Sequence, residues 1–266
     1  MNYSKDEVLK IVKIALGDNP TGVYISKNEY EWGTSEGVLS SIEDHHWVQD
    51  FYQDFCGEVQ VAKGATKVCL IPEKTDYVIK MNITGQYEGI YEDGETCKEC
   101  CPEDNEEPID FQIVKNSSGI DTLKEEIEIF NDAPAELQLL LKPPKFICDY
   151  NGIPIYIQEK IASVADDGLG KLKQYSKETI VTARDISVST IPVECEYPIF
   201  PLLFITLLVQ TYGAEISEAA LMAFNESQIT DMNGGNYGID KDGCPCVIDY
   251  GGYDDVAFWA QESDWS

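Results

Sequence analysis

The chain has 266 residues, of which 48 are acidic and 19 are basic, so its formal net charge is −29. A chain this acidic repels phosphate groups, which argues against direct binding to nucleic acid or to an anionic membrane. Hydrophobic residues make up 43% of the chain, enough for a packed core. The longest apolar stretch, Pro198 to Val209, is shorter than the roughly 20 residues that span a bilayer.

The first 57 residues are expected to form a helical extension. Ser4-Lys5-Asp6-Glu7 is a capping box, and apolar residues follow it at helical spacing, which predicts a helix over 4–16. No basic and then apolar run of a secretory signal precedes it, so a cytoplasmic protein is expected. A second helix is predicted over 41–55. Between the two helices, residues 22–37 are expected to form a loop or a short hairpin.

Short β-rich runs follow, and three of them predict a meander over 59–61, 67–71 and 77–81. The next segment, 84–110, holds ten acidic residues and one lysine. It is expected to be a long loop or hairpin insertion that extends to about residue 120. A helix is predicted over 121–131. Two further strands, separated by the turn pair Asn151-Gly152, are predicted over 145–150 and 153–158.

The second half of the chain is mostly helical, with helices predicted over 166–178, 197–212 and 214–228. The predicted fold class is therefore α+β and bilobal. A β-rich N-terminal lobe is expected over 58–159, with the acidic insertion at 84–120, and a shorter helical C-terminal lobe over 160–266.

Three polar residues near the C-terminus have the chemistry of a phosphoryl-transfer site. Transfer from Mg-ATP needs a carboxylate at the acceptor hydroxyl, an amide oxygen and a second carboxylate on the metal, and a cation on the other phosphates. Asp231, Asn236 and Asp249 supply the first three of these groups.

The spacing of these residues resembles the protein-kinase-like fold, including its small-molecule branch of aminoglycoside and choline phosphotransferases. Asp231 precedes Asn236 by five residues, as in His-Arg-Asp-x-x-x-x-Asn, and Asp249-Tyr250-Gly251 stands for Asp-Phe-Gly. Ile229-Thr230 replaces the His-Arg pair, and the segment is closer to the Asp-Leu-His-x-x-Asn of small-molecule kinases. The departures from cellular kinases resemble the reduced kinase-like proteins of phages and bacteria.

This resemblance implies ATP and Mg²⁺ as cofactors, Asp231 as the catalytic base, and Asn236 and Asp249 as metal ligands. Tyr77-Val78-Ile79-Lys80 resembles Val-Ala-Ile-Lys, so Lys80 would hold the α- and β-phosphates. A glutamate on the next helix should orient Lys80. Of Glu125, Glu126 and Glu128, the helical wheel favours Glu126, which borders the apolar face.

The same resemblance implies where the rest of the nucleotide would bind. Gly64-Ala65-Thr66-Lys67 stands where kinases have a Gly-x-Gly-x-x-Gly loop, and one glycine makes it a weaker phosphate cradle. At the lobe junction, the Glu159 carbonyl and Ile161 would contact the adenine.

Only 15 residues follow Gly251, so the activation segment and the peptide platform of protein kinases are expected to be missing. The expected reaction is transfer to a hydroxyl of a protein or a small molecule, and formation of another nucleotide product such as an adenylate is also compatible with these residues. The alternative is a pseudokinase or an acidic interaction protein that binds a basic or nucleic-acid-binding protein without catalysis.

The cysteines allow a second kind of site. Cys97, Cys100 and Cys101 form half of a zinc pattern, to which Cys244 and Cys246 could add thiolates. The spacing is irregular, and reduced thiols are the expectation in a cytoplasmic chain.

Overall fold

The computed structural model describes residues 3–26, 38–44, 46–53, 56–64, 66–90, 110–116, 121–164, 172–191, 199–227, 229 and 235–250. In this part the chain is a mixed α+β protein with six helices and three sheets. It divides into two compact units, residues 1–123 with 144–158 and residues 124–143 with 159–266. Residues 1–57, expected as a separate extension, thus fall in the first unit with the strands that follow them.

The described helices are α1 Lys5–Leu16, α2 Thr122–Asp132, α3 Ala135–Gln138, α4 Lys177–Ser189, α5 Leu202–Tyr212 and α6 Ala214–Glu226. The first strands are β1 Tyr24–Ser26, β2 Val38–Ser41, β3 His46–Trp47, β4 Phe51–Gln53, β5 Gly57–Lys63, β6 Lys67–Pro72 and β7 Tyr77–Asn82. The later strands are β8 Gly85–Ile90, β9 Asp110–Asn116, β10 Lys145–Tyr150, β11 Ile153–Glu159, β12 Ala162–Ser163, β13 Tyr237–Ile239 and β14 Pro245–Val247.

The first helix forms as its capping box predicts. The Ser4 side chain accepts a hydrogen bond from the Glu7 amide at 3.4 Å, which satisfies one of the free donors at the start of α1. The apolar face of α1 is buried in the core of the first unit, through Val8, Ile11, Val12 and Leu16.

A six-stranded sheet in the order β10-β11-β7-β6-β5-β4 forms the centre of the first unit. The predicted meander is confirmed as β5, β6 and β7, which pair antiparallel in sequence. Because side chains alternate along a strand, Val61, Leu70 and Ile79 point into the apolar core. The intervening residues, among them Lys80, point to the other face of the sheet.

The helix predicted over 41–55 is wrong. This segment instead supplies β3 and β4, which pair with β2 and β5. Trp47 lies opposite Leu39, and Phe51 lies opposite Val59. Cross-strand packing of aromatic and apolar side chains therefore outweighs the local helical pattern.

The acidic segment has strands on both flanks. β8 and β9 pair antiparallel, and β8 also pairs parallel with β1, in a five-stranded sheet of order β3-β2-β1-β8-β9. The two strands that flank the acidic segment therefore pair as a hairpin, one of the two structures predicted for it. Residues 91–109, including Cys97, Cys100 and Cys101, lie outside the described part of the chain.

In the second unit, helices pack around an aromatic core. Phe200 stacks on Phe204 at 4.7 Å between ring centroids and meets Phe224 edge to face at 4.9 Å. Helices α5 and α6 match the predicted pair and are separated at Gly213, whose φ is +83°. Helix α4 was not predicted. Of the helix predicted over 166–178, residues 166–171 lie outside the described residues, and residues 173–176 form a turn that precedes α4, so the predicted helix is wrong there. None of the described helices combines the length and apolarity that crossing a bilayer requires.

Strand β12 pairs antiparallel with β13 of the β13–β14 hairpin, and the two backbones approach each other closely at Gly238. A Cβ at Gly238 would lie 2.3 Å from the carbonyl oxygen of Ala162, a backbone atom of β12. We expect Gly238→Ala to lower the free energy of unfolding by about 1–3 kcal/mol, because the clash separates β12 from β13. Urea unfolding measures this loss.

Gly64→Ala is the matched control for that variant. A Cβ at Gly64 would have the Lys67 carbonyl oxygen as its nearest neighbour, at 3.8 Å. The change should therefore alter the unfolding free energy by less than about 0.5 kcal/mol. Equal losses in the two variants would contradict the steric explanation.

Candidate functional site

The hairpin of β13 and β14 brings two of the predicted metal ligands to the same end. Tyr237 lies opposite Val247, and the Ile248 amide donates to the Asn236 carbonyl at 2.7 Å. Asn236 therefore lies immediately before β13 and Asp249 lies two residues after β14, both at the open end of the hairpin. The sequence places these residues 13 positions apart, and the antiparallel register makes them neighbours in space.

Asp249 has an unusual backbone conformation. Its φ is +54°, in the left-handed region, and the side chain is half-buried. Residues other than glycine adopt this region at a cost in energy, and aspartate and asparagine tolerate it best. Such residues concentrate at functional sites. Asn236 is also largely enclosed, with 7% of its surface exposed.

Glu126 lies in the same unit as this hairpin. It is 0% exposed on α2, whereas Glu128 on the same helix is exposed, as the helical wheel predicts for these two residues. Burial, and then the nearby charge of Glu126, raise the pKa of Tyr250, the residue that follows Asp249. The Glu126 carboxylate is therefore close enough to Tyr250 to oppose ionisation of its hydroxyl.

Hydrogen bonds between polar side chains connect the start of α2 to strands β7 and β11 of the six-stranded sheet. Asp121 accepts hydrogen bonds from the Asn82 amide at 2.6 Å and from the Tyr156 hydroxyl. Thr122 donates to the Asn82 oxygen at 2.7 Å. Burial and the bond to Asp121 raise the pKa of Tyr156, so its hydroxyl stays a donor. These bonds fix the first residues of the helix that carries Glu126.

Lys80 occupies the middle of β7, on the sheet face that looks away from the apolar core. It pairs with Cys69 of β6 and is only 2% exposed. Lys67 is buried on the same face, opposite Asn82, and Gln158 of the neighbouring strand β11 is also buried. Several buried polar side chains thus lie on this face of the sheet. Two of them are lysines, which are rarely buried in folded proteins.

In the turn predicted to hold phosphate, some backbone groups are already used in hydrogen bonds to the protein itself. The Gly64 amide donates to the Lys67 carbonyl at 2.8 Å, and the Thr66 carbonyl accepts from the Ile83 amide at 2.9 Å. The Gly64 amide is therefore occupied by the turn, and Ala65 lies outside the described residues. This arrangement leaves a weaker cradle than a run of free amides would give.

Glu159, predicted to contact adenine through its carbonyl, belongs to a cluster of four charges. Its carboxylate lies 3.1 Å from the Lys241 ammonium and 3.9 Å from that of Lys142, and Lys142 pairs with Asp240 at 2.7 Å. Sequence reasoning missed this cluster because Lys142 and Asp240 are 98 positions apart and no motif links them. Ile161 is half-buried nearby in the sequence.

The remaining predicted residues are outside the described structure or lack metal-site geometry. Asp231 and Gly251 fall outside the described residues. Within the described ranges, no group of three or more His, Cys, Asp or Glu side chains is placed to hold a metal ion. Cys244 and Cys246 are free thiols, and burial raises the pKa of Cys246 to about 12, which opposes the thiolate that zinc requires.

Comparison with known protein families, with characterised proteins and with solved structures finds no match to this chain. The resemblance to kinase-like proteins therefore depends on the residues of this chain alone. The structure brings Asn236 and Asp249 together in the second unit, which also contains Glu126. Lys80 and the Gly64 turn belong to the first unit.

Proposed function

We propose that the chain is an ATP- and Mg²⁺-dependent phosphotransferase of the bilobal kinase-like type, which transfers the γ-phosphoryl group to a hydroxyl of a protein or small-molecule acceptor. The observation that carries this proposal is the meeting of Asn236 and Asp249 at the open end of the β13–β14 hairpin. Burial of Asn236 and the left-handed backbone of Asp249 support a functional role for that end.

The donors at this end suit magnesium. Mg²⁺ prefers oxygen ligands and usually binds through one or two carboxylates together with phosphate oxygens and water. One amide oxygen and one carboxylate are therefore a sufficient protein contribution, and a cluster of three acidic side chains is not required. When bound, the metal neutralises charge on the phosphates.

The other polar residues take roles that follow from their chemistry. Lys80 would hold the non-transferred phosphates, because an ammonium group removed from bulk water attracts anions more strongly than an exposed one. Glu126 would orient that ammonium group. Asp231 would accept the proton of the attacking hydroxyl, and the Gly64 turn and the backbone at Glu159 and Ile161 would hold the nucleotide.

Nucleotide binding is tested first by thermal unfolding. ATP with Mg²⁺ at about 100 times the dissociation constant stabilises the protein by roughly 2.7 kcal/mol, which should raise the unfolding midpoint by about 5–10 °C in a chain of this size. The shift should shrink when a chelator replaces Mg²⁺, and also in the Asn236→Ala variant. Asn236→Ala keeps the backbone carbonyl that accepts from Ile248.

GTP with Mg²⁺ and magnesium alone are the controls for this measurement. No shift at millimolar ATP would overturn the proposal. A shift that is equal with chelator and in Asn236→Ala would show a nucleotide site that does not use this end of the hairpin.

A further inference from the structure

The second unit contains an open groove that plays no part in the proposed nucleotide site. Helices α2 and α6 form its walls, and the segment from Ala133 to Leu137, which leads into α3, closes it. Its volume is about 450 Å³. This volume falls within the range of ligand-binding clefts, about 300–1,000 Å³.

The lining of the groove is acidic. Four carboxylate side chains line it, those of Glu125, Glu128, Asp132 and Glu226. No lysine or arginine is among the residues that line it in the described part of the chain. Lys124, which does not line the groove, pairs with Glu128 at 3.3 Å. Both side chains are more than 60% exposed, so this ion pair contributes little stability and a cationic ligand can replace Lys124.

The floor of the groove is apolar. Ile129 and Ala223 are half-buried in it, and Leu137 at its base is part of the core of the second unit. Half-buried apolar side chains next to exposed carboxylates suit a ligand side chain that has an aliphatic stem and a cationic end. Arginine and lysine have this construction.

We propose that this groove docks a basic peptide segment of a partner protein, with the stems of its arginine or lysine side chains on Ile129 and Ala223 and their cationic groups at Asp132 and Glu226. The net charge of −29 favours such a partner at long range and opposes a second copy of this chain. The proposal goes beyond the proposed function, because the docking needs neither nucleotide nor turnover.

The test uses fluorescein-labelled hexa-arginine as the probe, with anisotropy measured on the full chain. Asp132 and Glu226 are exposed on different helices, so replacing both with lysine should leave the fold intact. The two lysines would balance the two carboxylates that remain, so the net charge of the groove lining falls from −4 to zero. We expect the dissociation constant to rise at least about tenfold in D132K/E226K. The milder D132N/E226Q variant should show a smaller rise in the same direction.

E178K/D185K is the control, because Glu178 and Asp185 are exposed on α4 of the same unit and do not line the groove. It changes the net charge of the chain by four units, as D132K/E226K does. It should raise the dissociation constant by less than about threefold. A second probe, the hexamer of 2-amino-3-guanidinopropionic acid, keeps the guanidinium groups but has shorter stems and should bind more weakly. Equal effects of groove and control substitutions, or equal binding of the two probes, would overturn the proposal in favour of unspecific attraction to an acidic surface.

Discussion

If Asp249 binds the metal as proposed, Asp249→Asn should lower ADP formation from Mg-ATP by about a thousandfold, because a neutral amide would replace the charged ligand. The protein should remain as stable as the parent. Asparagine tolerates the left-handed backbone that Asp249 adopts at φ +54°, so the substitution removes the charge without straining the chain. A coupled assay for ADP, with water or an added alcohol as acceptor, measures the loss.

Two further substitutions at the same position separate charge from conformation. Asp249→Gly accommodates the left-handed backbone but has no carboxylate, and it should be as inactive as Asp249→Asn. Asp249→Ala should also be inactive and should lose about 1 kcal/mol of stability, since alanine is disfavoured at positive φ. Full turnover in either Asp249→Asn or Asp249→Gly would show that the carboxylate is not a metal ligand.

Local patterns in the sequence predicted the elements whose structure depends on neighbouring residues. The capping box at Ser4 produces α1 where it was expected. The Asn151-Gly152 pair joins β10 to β11, with both residues at positive φ. In each case, hydrogen bonds and backbone preferences within a few residues determine the element.

Prediction failed where distant residues decide the structure. Residues 41–55 have helical spacing, but Trp47 and Phe51 gain more from packing against Leu39 and Val59 across strands. Sequence alone gives no measure of that gain, because it depends on the arrangement of the whole sheet.

The same distinction between residues close in sequence and residues far apart applies to the candidate sites. The interval between Asn236 and Asp249 is short enough for a hairpin, so their proximity could be anticipated from the sequence. The groove of α2 and α6 joins Asp132 to Glu226 across more than 90 positions, and nothing in either segment indicates the other. Distant pairs of this kind also include the ion pair at Asp240.

Asp240→Ala should lower the free energy of unfolding by about 2–3 kcal/mol, because it removes a buried carboxylate that has three bonding partners. The Asp240 side chain is 4% exposed and lies 2.7 Å from the Lys142 ammonium. Its other oxygen accepts hydrogen bonds from the amides of Asp242 and Cys244, at 3.0 and 2.9 Å. Alanine would remove all three bonds and leave a partly buried lysine without this partner.

Asp240→Asn should lose less than Asp240→Ala, because an amide oxygen can keep the bonds to the turn while the charge is removed. Urea unfolding of the parent and both variants gives the comparison. Equal losses in the two variants would show that the turn bonds contribute nothing, and no loss in either would show the same for the ion pair with Lys142.

The pH dependence distinguishes the charge of Asp240 from its packing. Burial alone would raise the pKa of Asp240, but the bonds from Lys142 and from the amides of Cys244 and Asp242 outweigh it and lower the pKa below the ordinary 3.8. Since the folded-state pKa is the lower one, the stabilisation is complete above the unfolded value and is lost as the pH falls through the folded value. The difference between the parent and Asp240→Asn should therefore stay constant from pH 7 to about pH 5 and shrink below 3.8. A difference that is unchanged in acid would assign the loss to packing and hydrogen-bond geometry, with no contribution from the carboxylate charge.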